Sequence, residues 1–228
     1  MSVPQHIVDH YGVTYDGALD ADVVVFLQHF AGLPPQRVLV AGCLEECTAN
    51  MLAAWGMEVV GFDLREYPLE GHPPCNYRFV RGDFCRMDLR FMQNYEGKFD
   101  HFVSLSALEH FGVGAYDCPD YHPFYDHVAM RLARRMLKVG GHAYVTVPYG
   151  KEQLEHLPHW RVYDAGGIKN RLVCRMAVTK LGFFTSGPCT VAGRQRGVLE
   201  ALTQEEADSY DGREDPHVTA FLELVKDE

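Results

Sequence analysis

Two rhythms alternate along the chain. Short unbroken apolar runs, such as VLVA at 38–41 and VVGF at 59–62, are separated by stretches whose apolar residues recur every three or four positions. The runs predict strands buried on both faces, and the longer period predicts amphipathic helices. Strands are expected at 37–41, 58–62, 77–81, 99–105, 142–147, 183–191 and 217–226. Helices are expected at 20–30, 45–55, 125–137 and 168–181. Gly32, Pro34 and Pro35 stop the first helix, Gly56 closes the second, and Gly140 with Gly141 ends the third. Strand alternating with helix implies an α/β, doubly wound, mostly parallel seven-stranded sheet with helices on both faces, its last two strands forming an antiparallel pair. One domain over 1–228 is expected, with 1–36 as an N-terminal helical extension or a lid carrying Tyr11 and Tyr15.

Composition narrows the function classes. The 228 residues are 47% hydrophobic and 23% charged, ordinary for a globular chain. A net charge of −10 disfavours nucleic acid, whose phosphates need a basic face. The basic cluster Arg131, Arg134, Arg135 and Lys138 has helical spacing and reads as a solvated face and C-terminal turn. No apolar run is long enough for a membrane span, and MSVPQHIVDHYG lacks the pattern of a signal peptide, so a cytoplasmic location is expected. Seven cysteines without a CxxC suggest neither a zinc site nor a disulfide framework.

The candidate chemistry begins at strand ends. In open parallel sheets, ligands bind outside the carboxyl ends of the strands, beside the first strand. Gly42 follows the run at 37–41, and Asp63 ends the next, 21 residues on. An acid there suits a ribose diol, although the pair also reads as a tight-turn glycine and a helix-capping aspartate. Glu45 and Glu46 open the following helix. They complement its dipole but would repel the pyrophosphate of a dinucleotide. S-adenosylmethionine has no phosphate, and its sulfonium and ammonium suit an acidic mouth. A nicotinamide cofactor is disfavoured on the same ground.

Residues 37 to about 150 resemble the core of the class I S-adenosylmethionine-dependent methyltransferases. VLVAGC is similar to that family's first motif, GFDL to its second acidic strand end, and RGDF (81–84) to its adenine-contacting turn. FDHFVSLSALEHF resembles the fourth strand, and MLKVGGHAYVTVP the helix, double glycine and fifth strand. The resemblance implies S-adenosyl-L-methionine as cofactor, in a pocket formed by Gly42, Cys43, Asp63, Leu64, Asp83, Phe84 and Ser104. The first motif departs from the family: Val40 stands at the usual acidic position, and Leu44 and Glu46 replace two glycines. EHFGVGAYDCP (109–119), VPYG (147–150) and WRVY (160–163) are similar to a narrower group of methyltransferase-like proteins linked to cell-surface polysaccharide pathways.

Methyl transfer requires alignment of donor and acceptor, and a hydroxyl acceptor also has to lose a proton. Glu109 and His110 lie just past the fourth strand. His110 is the expected base, and Glu109 is expected to orient it, to contact the substrate or to help bind a metal. The loop at 111–127 offers aromatic faces and polar groups to an acceptor, among them Tyr116, Asp117, His122 and Asp126. The same oxygen-rich cluster would suit a hard divalent cation, or serve as solvated turns; no metal site is assigned. Arg161 and Tyr163 are expected on the same rim, Arg161 facing an anionic acceptor. The expected activity is methyl transfer from S-adenosylmethionine to a small-molecule polar acceptor, a hydroxyl of a sugar or related metabolite. The alternatives are an inactive binding or scaffolding protein of the same fold and a small-molecule N-methyltransferase.

Overall fold

The computed structural model describes residues 21–30, 33–43, 48–66, 75–116, 121–213 and 216–228. Its helices are α1 (Ala21–Phe30), α2 (Thr48–Ala54), α3 (Leu89–Tyr95), α4 (Tyr125–Met136) and α5 (Gln204–Asp208). Its strands are β1 (Arg37–Ala41), β2 (Glu58–Asp63), β3 (Tyr77–Arg81), β4 (Phe99–Leu105), β5 (Leu137–Pro148), β6 (Leu154–His156), β7 (Trp160–Val162), β8 (Ala177–Thr185), β9 (Cys189–Val191), β10 (Arg194–Arg196), β11 (Ala201–Leu202) and β12 (Val218–Val225). The main sheet has eight strands in the order β11-β8-β12-β5-β4-β1-β2-β3. From β3 to β5 all neighbours are parallel; β12, β8 and β11 are added antiparallel. The eighth strand, absent from the sequence-based reading, is the two-residue β11.

The unbroken apolar runs explain the layers. In β1, Val38 and Val40 join the core beneath α1 and α2, whereas Leu39 and Ala41 join the one beneath α3 and α4. Both faces are therefore dry, as buried parallel strands require. On α4, Ala129, Met130, Ala133 and Met136 are buried at helical spacing, and its polar face is exposed to solvent. From α1, Phe26 and Phe30 pack edge-on against Tyr144 of β5, with ring centroids 5.6 and 5.5 Å away. Among the described residues, no helix is long and apolar enough to cross a membrane.

Three expected elements differ. The helix at 168–181 is only a turn at Ala165–Gly167 running into a π-helical stretch, Ile168–Leu172. Cys174 and Arg175 then take left-handed backbone, with φ of 47° and 62°, and β8 begins at Ala177. A ladder to β12 from Val218↔Thr185 to Val225↔Ala177 claims these residues, and pairing outweighs their helical spacing. The expected strand at 183–191 divides into β8 and β9, and β9 pairs with β10 around Ala192 and Gly193, both at positive φ. Gly140 and Gly141 do not end α4; they lie inside β5, where Gly140 has φ +77° and donates its N–H to the Lys226 carbonyl.

Candidate active site

The carboxyl ends of β3, β2, β1 and β4 line one cavity of about 380 Å³. It crosses the switch point between β1 and β4, where connections leave toward opposite faces of the sheet. Each strand end delivers its residues there by direction alone. β2 ends in Phe62 and Asp63, followed by Leu64 and Arg65. β3 is followed by Gly82, Asp83 and Phe84, and β4 by Ser106, Ala107, Glu109 and His110. From outside the sheet, the start of α1 contributes Ala21 and Asp22, and the turn after β8 contributes Ser186.

Gly42 makes the approach of the β1 and β4 ends possible. Its φ is +75°, and a Cβ there would stand 2.4 Å from the Ala107 Cβ. Its N–H donates to the Phe62 carbonyl at 2.9 Å. No larger residue fits both the backbone and the space.

Asp63 is buried, and Arg65 engages both of its carboxylate oxygens. Nε donates to Oδ1 at 2.9 Å and Nη2 to Oδ2 at 3.0 Å. The Arg65 guanidinium also lies 4.7 Å from the Tyr116 ring centroid, a cation–π arrangement across the cavity mouth. Asp83 caps the turn at Phe84–Arg86, accepting from the Cys85 N–H at 2.8 Å. Phe84 packs edge-on against Phe62, so the β2–β3 end of the cavity is apolar with an acid at its edge.

The β4 end is different. His110 Nδ1 lies 2.5 Å from the His159 carbonyl. A carbonyl only accepts, so Nδ1 carries the proton and the neutral ring has its basic lone pair on Nε2. Nε2 is 3.9 Å from Glu109 Oε1, and the ring meets Tyr116 edge-on at 5.0 Å. Glu109 is only 2% exposed, and its Oε2 has no hydrogen-bond partner. Burial, and secondarily the charge of Asp22, push its carboxyl well above the ordinary range.

The remaining expected residues lie elsewhere. The Cys43 side chain does not line the cavity. It points into the core, receives a 3.3 Å hydrogen bond from Tyr77, and burial pushes its thiol up to about 12. Ser104 is wholly buried and donates to the Ala41 carbonyl at 3.0 Å, tying β4 to β1. His122 stacks on Tyr125 at 4.1 Å, outside the cavity. Arg161, Tyr163 and Asp126 do not form a rim. Arg161 is fully buried, bonded to Glu155 Oε1 at 2.9 Å and the Phe111 carbonyl at 2.5 Å. Tyr163 donates to Asp126 Oδ2 at 2.8 Å, and Arg171 holds the same carboxylate through two 2.6 Å bonds. These groups have low-lying partners inside the fold, and none of the three lines the cavity. Asp117, Leu44, Glu45, Glu46, Tyr11 and Tyr15 lie outside the described residues.

Asp22, Arg65 and Ser106 were missed by sequence reasoning. Asp22 stood in the apolar run ADVVVFLQHF, where an acid in the first helical turn reads as a complement to the dipole. Arg65 and Ser106 carried no pattern of their own. No group of three or more His, Cys, Asp or Glu placed to hold a metal ion occurs among the described residues.

Known proteins give the arrangement its context. Residues 82–183 match the model of DUF268, a Caenorhabditis protein of unknown function. No protein with a curated description matches the sequence. Among solved structures, the chain superposes on the Burkholderia thailandensis 1,6-didemethyltoxoflavin-N1-methyltransferase, which holds S-adenosylhomocysteine and 1,6-didemethyltoxoflavin. The TM-score is 0.59 at 15% identity, over 91% of this chain and 77% of that one. The fold is that of the class I methyltransferases. Haemonchus contortus phosphoethanolamine N-methyltransferase 2, in complex with S-adenosyl-L-methionine, is matched at TM-score 0.57 and 15% identity, over 90% of this chain and 52% of that one. An Agrobacterium tumefaciens protein described as a predicted O-methyltransferase is matched at 0.50 and 12%, over 92% and 82%.

Proposed function

We propose that the protein transfers a methyl group from S-adenosylmethionine to a small polar acceptor. One observation carries this reading: a single cavity at the switch point of this fold has a buried acid at the end of β2 and a histidine–glutamate pair beyond β4. The residues fit the donor. Asp63 would accept from the ribose hydroxyls, sharing its oxygens with Arg65 or releasing that partly exposed side chain. Phe62, Leu64 and Phe84 would take the apolar face of the base, with Asp83 at its edge. Bound there, the donor supplies a methyl group already activated on its sulfonium.

The chain's own contribution is position and proton transfer. His110 holds its Nδ1 proton against the His159 carbonyl, which orients Nε2 as the base for an acceptor hydroxyl. Tyr116, with its edge on His110, would pack against that acceptor. A hydroxyl of a sugar or related metabolite is the acceptor we favour, on the resemblance of the sequence at 109–119, 147–150 and 160–163 to a polysaccharide-linked group. The second reading is an amine acceptor, favoured by the buried acid Glu109. His110→Ala separates the two, because a hydroxyl needs the base and a neutral amine does not.

Calorimetric titration of the purified protein with S-adenosylhomocysteine tests the donor site. Binding is expected, and Asp63→Ala should weaken it by about 1–3 kcal/mol, the scale of lost charge-assisted hydrogen bonds. Unchanged affinity in that variant would move the site away from β2.

A further inference from the structure

Two buried acids are among the residues that line the cavity. Glu109 enters from beyond β4 and Asp22 from the start of α1, 2% and 6% exposed respectively. Ser106 lies with them and donates its hydroxyl to Asp22 Oδ2. A buried carboxyl oxygen without a donor costs roughly 1–3 kcal/mol, so native structures seldom keep one. Glu109 Oε2 is such an atom, and Glu109 is one of the residues that line the cavity.

We propose that Glu109 and Asp22 form a subsite for an ammonium group. The proposal rests on the donor reading only for the nucleoside probes below. Two acids that line the same cavity and feel each other's charge suit a compact cation with three N–H donors. A hydroxyl would offer one donor and no positive charge. The ammonium has two chemical sources, the amino-acid head of the methyl donor or an amine on the acceptor.

Ionisation follows from the geometry. Among the described residues, Asp22, His110 at 3.9 Å and the buried Tyr163 act on Glu109, and Asp63, Arg65 and Asp83 line the same cavity; an ammonium beside Glu109 would favour its carboxylate form. Without a ligand, burial favours the protonated Glu109 carboxyl. On binding, R–NH3+ and the neutral carboxyl become the R–NH3+···−OOC pair, and one proton passes to the solvent.

Three probes separate the outcomes by calorimetry in two buffers of different ionisation enthalpy. They are S-adenosylhomocysteine, 5′-methylthioadenosine (the same nucleoside thioether without the amino-acid head) and ethanolamine added with saturating S-adenosylhomocysteine. Glu109→Gln keeps the shape and removes the charge; Asp22→Asn is the second variant, and thermal unfolding checks that both are folded. If the donor's ammonium docks here, Glu109→Gln weakens S-adenosylhomocysteine about 10- to 100-fold, leaves 5′-methylthioadenosine unchanged and abolishes proton release. If the acceptor's ammonium docks here, ethanolamine alone shows that loss. Ethanolamine binding that depends on Glu109, in a wild-type protein that binds neither nucleoside, upholds the subsite and removes the donor reading. Nucleoside binding with no Glu109-dependent loss for either amine overturns the subsite and leaves the donor reading standing.

Discussion

Glu109 is destabilising where it stands, and pH should reveal it. Burial raises its carboxyl in the folded protein above the unfolded value. The unfolded chain therefore loses this proton first as pH rises. The stability linked to the protonated group is fully present below the ordinary carboxylate range and is lost as pH climbs toward the raised folded value. Glu109→Gln removes the titration. It should melt higher than the wild type near neutral pH, with the gap closing toward pH 4; a gap that stays constant would mean that Glu109 does not titrate abnormally. Gly42 gives a second prediction at this scale. Gly42→Ala combines positive φ with a clash on Ala107 and should cost about 2 kcal/mol or more in urea unfolding. Sequence reading reached Gly42, Asp63, Asp83, Glu109 and His110 because strand ends are predictable and a parallel sheet gathers them at one edge. It could not reach the fate of Asp126, Arg161 or Tyr163. Their partners lie far along the chain, as with Arg171 against Asp126, and loop composition does not say which polar groups turn inward.

At the scale of elements, the ion pair between Asp126 and Arg171 ties α4 to the π-helical stretch. Asp126 is fully buried and Arg171 nearly so, and Tyr163 completes the cluster. Removing one member strands the other in low dielectric. Asp126→Asn should therefore destabilise the protein by about 3–5 kcal/mol, against about 1 kcal/mol for Tyr163→Phe, both read from urea midpoints. Comparable, small losses would mean that water reaches the cluster. The same region is where helix prediction failed. Apolar spacing over 168–181 suggested one helix, but left-handed Cys174 and Arg175 break it and the β12 ladder takes the rest. Periodicity sees only local spacing, and a nine-residue strand that pairs with β12, over 30 positions away, leaves no local trace. By contrast, β1, β2 and β4 were legible because unbroken apolar runs bounded by glycine have few other uses.

For the molecule as a whole, strand order decides where chemistry can occur. β1 to β5 build the parallel half, with the ends of β1 to β4 at the cavity, and β12, β8 and β11 complete the sheet beyond β5, Ser186 after β8 reaching the cavity as well. α1 covers one face and sends Asp22 to the opening, so a segment before the first strand contributes an acid to the cavity. β12 lies between β5 and β8, far from β5 in sequence yet paired with it from Thr219↔Pro148 to Val225↔His142. A chain still lacking it would present the twelve-residue β5 as an open edge and leave β8 paired only to a two-residue strand. Such an edge is a template for the wrong neighbour, a second copy of the same chain. The protein's exposure to aggregation is thus concentrated in the interval before its last strand docks, and crowding during refolding would lengthen the odds against the correct partner.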